Sequence, residues 1–125
     1  MFEQDYIMRL IKEMVRALLK LIFGIDTESP TTELLEDAQK QNTLNTLTDM
    51  IDAGNIDDAE NKIYALMENG SKEYLKMAIL FYSYLNEKDD DFLIEHDFTR
   101  EEIKTGLENV LSDCGYHGIA EAFLE

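Results

Sequence analysis

Only one proline, Pro30, and six glycines stand in 125 residues, so the chain contains long stretches in which nothing stops a helix once it has started. Valine, a favoured strand residue, occurs only at Val15 and Val110, and this argues against much sheet. The expected class is all-α, an antiparallel array of about six helices. At this length one domain over residues 1–125 buries roughly two-thirds of its unfolded surface, enough for a core without disulfide or metal. Within it, residues 1–24 form an N-terminal amphipathic helix and residues 30–125 the helical array.

The first segment carries the strongest periodicity. Arg9, Lys12, Glu13, Arg16 and Lys20 recur at helical spacing and, at about 100° per residue, fall in one stripe about 100° wide. Ile7, Leu10, Ile11, Met14, Val15, Leu18, Leu21 and Ile22 lie on the remaining arc, wider than one packed face of a surface helix requires. Gly24 is placed to close this helix. Ser29 and Pro30 then suggest the cap and first position of a second helix reaching Ala53, with a possible break at Gln41–Thr43. Gly54 and Asn55 suit a turn with Asn55 as the next cap, and Asn69–Gly70 a second turn with Ser71 as cap. The run Tyr74–Tyr82 is apolar almost all round and is expected at the centre of the core. Phe92–Ile94 promise a helical turn at most. Thr99 with Glu102 spells a capping box, Phe98 and Ile103 its staple, and Tyr116–Leu124 a last short helix.

Charge narrows the partners. The net charge of −16 opposes contact with a phosphate backbone, so nucleic acid is not expected. No run of about 20 apolar residues predicts a membrane span. The lone Cys114 excludes an intrachain disulfide and suits a reducing compartment, which makes the cytoplasm the expected location. Residues 1–23 carry four basic and three acidic side chains, a net charge of +1, and the rest of the chain therefore sums to −17. A helix so wide in its apolar face and so different in charge has three readings: the centre of its own domain, a dimer or partner interface, or a membrane-surface helix. The last is weakened by the anionic remainder of the chain, and membrane contact is not expected.

Two stretches resemble known families. Gly54-Asn55-Ile56-Asp57-Asp58-Ala59, with Ile63 and Leu66 beyond, resembles the inter-helix turn and second helix of a tetratricopeptide repeat, in one copy. The opening Met-Phe-Glu-Gln-Asp-Tyr-Ile-Met-Arg, together with Phe81-Tyr82-Ser83-Tyr84-Leu85, is similar to a family of small bacterial all-helical proteins classed as a domain of unknown function. That resemblance spans the chain and implies a bacterial cytosolic protein with no assigned activity.

The residues suited to chemistry do not assemble into a motif. Counted from Asp89, a calcium loop would need glycine sixth and glutamate twelfth; Ile94 and Arg100 stand there. Glu95-His96-Asp97 lacks a second ligand pair at helical spacing, and Cys114 with His117 lacks an orienting third group. No catalytic, cofactor or metal residue is therefore assigned. The expected function is a non-enzymatic module for protein interaction or self-association, most simply a homodimer, with Ile7, Leu10, Ile11, Met14, Val15, Leu18, Leu21 and Ile22 as its interface. The alternative is a small-molecule sensor or enzyme with a pocket beside residues 72–87, where Tyr74, Phe81, Tyr82 and Tyr84 gather.

Overall fold

A computed structural model describes residues 2–68, 71–116 and 118, with the side chains of the first helix described from Asp5 on. Among the described residues there are six α-helices and no strand: α1 (Phe2–Phe23), α2 (Ala38–Asp52), α3 (Ile56–Met67), α4 (Lys72–Asn86), α5 (Asp90–Glu95) and α6 (Arg100–Asp113). The expected turn at Asn69–Gly70 and the last short helix from Tyr116 lie outside these residues, apart from Tyr116 and Gly118.

α4 is the shared wall of the molecule. It packs against α1, α2, α3 and α6, while α1 also packs against α6 and α2 against α3. Its residues Leu75 and Met77 to Tyr82 are all buried, as its sequence predicts, and Phe81 meets Tyr82 edge-to-face at 5.1 Å. From α1 come Ile11, Met14, Val15, Leu18, Leu19 and Ile22, and from α6 Ile103, Leu107, Val110 and Leu111. Gly106 lets the Tyr82 ring lie directly on the α6 backbone, since a Cβ there would collide with that ring. Tyr82 can then extend its hydroxyl past α6 to Glu60 on α3, at 2.7 Å.

Two buried cations tie the helices together at opposite ends of α4. Lys76 donates to the Leu34 carbonyl at 3.1 Å, pairs with Glu73 at 2.8 Å and lies 5.3 Å over the Phe23 ring. Arg100, 1% exposed, donates to the carbonyls of Asn86 and Lys88, both at 2.9 Å, and to Asp90 at 2.8 Å. Asn86 in turn donates to the Met8 carbonyl on α1. Each cation satisfies carbonyls at a helix end or in a connector that would otherwise be costly to bury.

Three local expectations need correction. No helix starts at Pro30: residues Thr32–Leu34 make one 3₁₀ turn, and α2 begins only after Asp37, whose carboxylate accepts from the Gln39 amide at 2.8 Å. Burial of Leu35 and the Lys76 bond to Leu34 hold the connector in place of a continuous helix. Gln41–Thr43, in contrast, run through α2 without a break. Asn55 sits at the start of α3, but its side chain makes no cap bond. Its amide instead donates to the Met50 carbonyl and that of Gly54 to Ile51, closing α2 with Gly54 at φ 88°. Finally, Phe92–Ile94 belong to the six-residue α5, which Asp89 caps through the Phe92 amide. The Thr99 cap and the burial of Phe98 and Ile103 follow the sequence: Thr99 accepts from Glu102 at 3.1 Å.

Candidate functional site

The eight residues expected at an interface divide sharply. Ile11, Met14, Val15, Leu18 and Ile22 point into the monomer's own core and are at most 9% exposed, so that part of the expected interface is interior. The cause is geometric: α4 and α6 both lie against α1 and together cover more of its arc than one neighbour would. Ile7 and Leu10 are partly buried, and Leu21 stands 66% exposed. Tyr6, absent from the expected set, is 68% exposed. The sequence signal for it was available, because Tyr6, Leu10, Ala17 and Leu21 fall within about 60° of one another at helical spacing. That strip runs between the core-facing arc and the basic stripe.

The charges beside the strip are exposed, as are Arg9, Lys12, Glu13, Arg16 and Lys20 throughout. Lys12 reaches Glu87 at 3.6 Å and Arg16 reaches Glu28 at 3.4 Å, with all four side chains at least half exposed. Such pairs are worth little and are readily exchanged for others. Arg9 and Lys20 make no ion pair among the described residues. A depression of about 290 Å³ opens at Ala17, rimmed by Glu13, Arg16, Lys20 and Asp26.

The remaining candidates for chemistry resolve into structural tasks. Asp89 caps α5 and Asp90 binds Arg100, so the acidic cluster is the start of a helix and part of a buried joint. His96 lies against Gly54, where a Cβ would strike its ring, and its ring centroid is 4.5 Å from that of Phe92. Among the described residues no group of three or more His, Cys, Asp and Glu side chains is placed to hold a metal ion. Cys114 is half-buried, and burial followed by the Asp113 charge pushes its thiol up, away from the thiolate a nucleophile needs. His117, its suggested partner, lies outside the described residues.

Of the four α4 aromatics, Phe81 and Tyr82 are fully buried and Tyr74 and Tyr84 half-buried. Tyr84 donates to Asp52, which Lys88 also binds; the Lys88 hydrogen bond first, and then that of Tyr84, holds the Asp52 carboxyl below its usual range. Between α3 and α6 runs a groove of about 430 Å³, walled by Asp57, Glu60, Glu101 and Glu102 with Tyr64 and Gly106. Burial raises the Glu60 carboxyl, the Tyr82 hydrogen bond opposes that rise, and the charges of Asp57 and Glu102 add to it. Sequence reasoning missed this groove because its acids come from two helices more than forty positions apart.

The fold is that of an all-helical protein organised on one central helix, and no described helix is long and apolar enough to cross a membrane. A family model covers residues 1–115, and the chain belongs to that family, the family of unknown function DUF6483. No curated protein and no solved structure matches the chain.

Proposed function

We propose that this protein is a non-enzymatic protein-interaction module that meets its partner through the outer face of α1. The observation that carries this reading is the pair Tyr6 and Leu21, each about two-thirds exposed, at either end of a strip with Leu10 and Ala17 half-covered between them. Aromatic and aliphatic side chains lying together on an exposed face suit the apolar centre of an interface, and the flanking arginines and lysine suit its rim. α1 is also the segment where an anionic chain is least anionic, which favours contact with the acidic surface of another protein. A cytosolic setting belongs to the same reading, since the lone Cys114 suits a reducing compartment.

The sensor alternative would draw on the α3–α6 groove. There the most enclosed carboxylate, Glu60, is already engaged by Tyr82, which favours a solvated seam between two helices over a prepared ligand site.

A photo-crosslinking residue placed at Leu21 and, as a control, at exposed Asp58 tests the interaction reading in the native host. Leu21 should yield a covalent protein adduct and Asp58 none. Absence of any protein adduct from Leu21 would remove the reading.

A further inference from the structure

We propose that the hydrogen bond between Tyr82 and Glu60 is a proton-operated latch on α3, closed when Glu60 carries a proton and loosened when it is ionised. The first support is the way α3 is held. Its buried residues Ile56, Ala59, Ile63 and Met67 belong to a helix that packs chiefly against α2 and α4. Among the described residues, the Tyr82 bond to Glu60 is the one side-chain hydrogen bond or ion pair that joins α3 to any other helix. Its neighbours are tied otherwise: α1 through the Asn86 bond to the Met8 carbonyl, α2 through Asp52 to Tyr84, and α6 through Arg100 to Asn86. A change at Glu60 therefore acts on the whole side-chain polar attachment of one helix.

The second support is that one half of the latch is fixed. Tyr82 is 0% exposed, and its ring lies so close to Gly106 of α6 that a Cβ there would collide with it. A ring packed in this way has little freedom to follow α3, so the 2.7 Å bond forms only while α3 is seated.

Charge is the third. The groups lining the groove around Glu60 are Asp57 and Tyr64 on its own helix and Glu101 and Glu102 on α6, with the Tyr82 hydroxyl reaching it from α4. Among the described residues no lysine or arginine lines this groove, and α2 contributes nothing to it. Ionised Glu60 thus meets like charges and no counter-ion. Asp57, Glu101 and Glu102 are exposed, so solvent weakens their repulsion. The charge-assisted bond from Tyr82 favours the ionised form, but burial of Glu60 outweighs it, and Asp57 and Glu102 add to the effect of burial. The closed seam consequently takes up a proton, and rising pH favours its release together with opening of α3.

Amide hydrogen exchange, read segment by segment, tests the latch. At about pH 7, where an ordinary glutamate is ionised, Glu60→Gln should raise the protection of α3 amides relative to α6 by about two- to fivefold over the unaltered protein. That excess should shrink towards about pH 4.5, where Glu60 itself holds a proton; comparing the two proteins at the same pH removes the intrinsic pH dependence of exchange. Tyr82→Phe keeps the ring on Gly106 and removes the donor, and should lower α3 protection relative to α6 at both pH values. Equal α3 protection in the unaltered protein and Glu60→Gln at both pH values would overturn the proposal. So would a gain spread evenly over α1, α3, α4 and α6, which would make Glu60 a determinant of global stability with no latch, and so would unchanged α3 protection in Tyr82→Phe.

Discussion

α1 and α4 are both apolar around most of their circumference, yet the molecule uses them differently. α4 is enclosed by α1, α2, α3 and α6 and buries ten of its fifteen residues, including Lys76 and Asn86 with their polar atoms bonded. α1 has α4 and α6 as its chief neighbours and leaves Tyr6 and Leu21 in solvent. A wide apolar arc thus marks a helix with much to cover, but the number of neighbours decides whether any is left over for another molecule.

The sharpest test of that contrast sets two leucines of α1 against each other. Leu18→Asp buries an unpaired charge at a position that is 0% exposed, a cost of several kcal/mol comparable to the whole stability of a small domain. It should yield an unfolded chain by circular dichroism. Leu21→Asp, at a position 66% exposed, should keep the helical spectrum and a cooperative urea transition. Loss of folding in Leu21→Asp would mean that α1 is covered on that side as completely as α4.

A smaller effect probes how closely α6 must lie on α4. Gly106→Ala gains up to about 1 kcal/mol of helix propensity, but its methyl group must displace the Tyr82 ring, an overpacking cost of about 1–3 kcal/mol. The urea midpoint should fall. A midpoint that rises would show that the ring has room to move. Thr99→Ala, which removes the bond to the Glu102 amide at the start of the same helix, should cost about 1 kcal/mol by the same measurement, with no change of fold.

The smallest effect is a pH dependence at the polar edge of the α4 core. The folded-state value of Glu60 is raised above the usual 4.5, chiefly by burial. Its protonated form therefore stabilises the fold fully below 4.5, and that contribution is lost as pH rises through the raised folded value. Asp52 works in the opposite sense: held low by Lys88, it contributes stability above 3.8 that is lost as pH falls through its depressed value. Across the window from 4.5 to the raised Glu60 value, the stability of the unaltered protein relative to Glu60→Gln should decline with rising pH. Urea midpoints of both proteins that keep a constant difference across that window would show that Glu60 titrates alike in the folded and unfolded chains.

Much of this was legible in the sequence because it depends on neighbours along the chain. The Thr99 and Ser71 caps, the end of α2 at Gly54 and the apolar run of α4 rest on contacts within a few residues, which spacing reveals directly. The mistaken start of α2 at Pro30 shows the limit. Proline suits a first helical turn, but Leu35 and the Leu34 carbonyl are claimed by the core and by Lys76, more than forty residues along the chain.

The amino-acid sequence alone determined that this chain is helical, where most helices stop, and that α1 is broader in its apolar arc and less anionic than the rest, since periodicity, caps and charge are local properties. Only the tertiary structure decided that Leu18 faces inward while Tyr6 and Leu21 face out, and that Arg100 and Lys76 are buried. Those outcomes depend on which helices settle beside which. Packing of α4 and α6 against α1 is a choice among long-range contacts, and the pattern of any single segment is compatible with several of them.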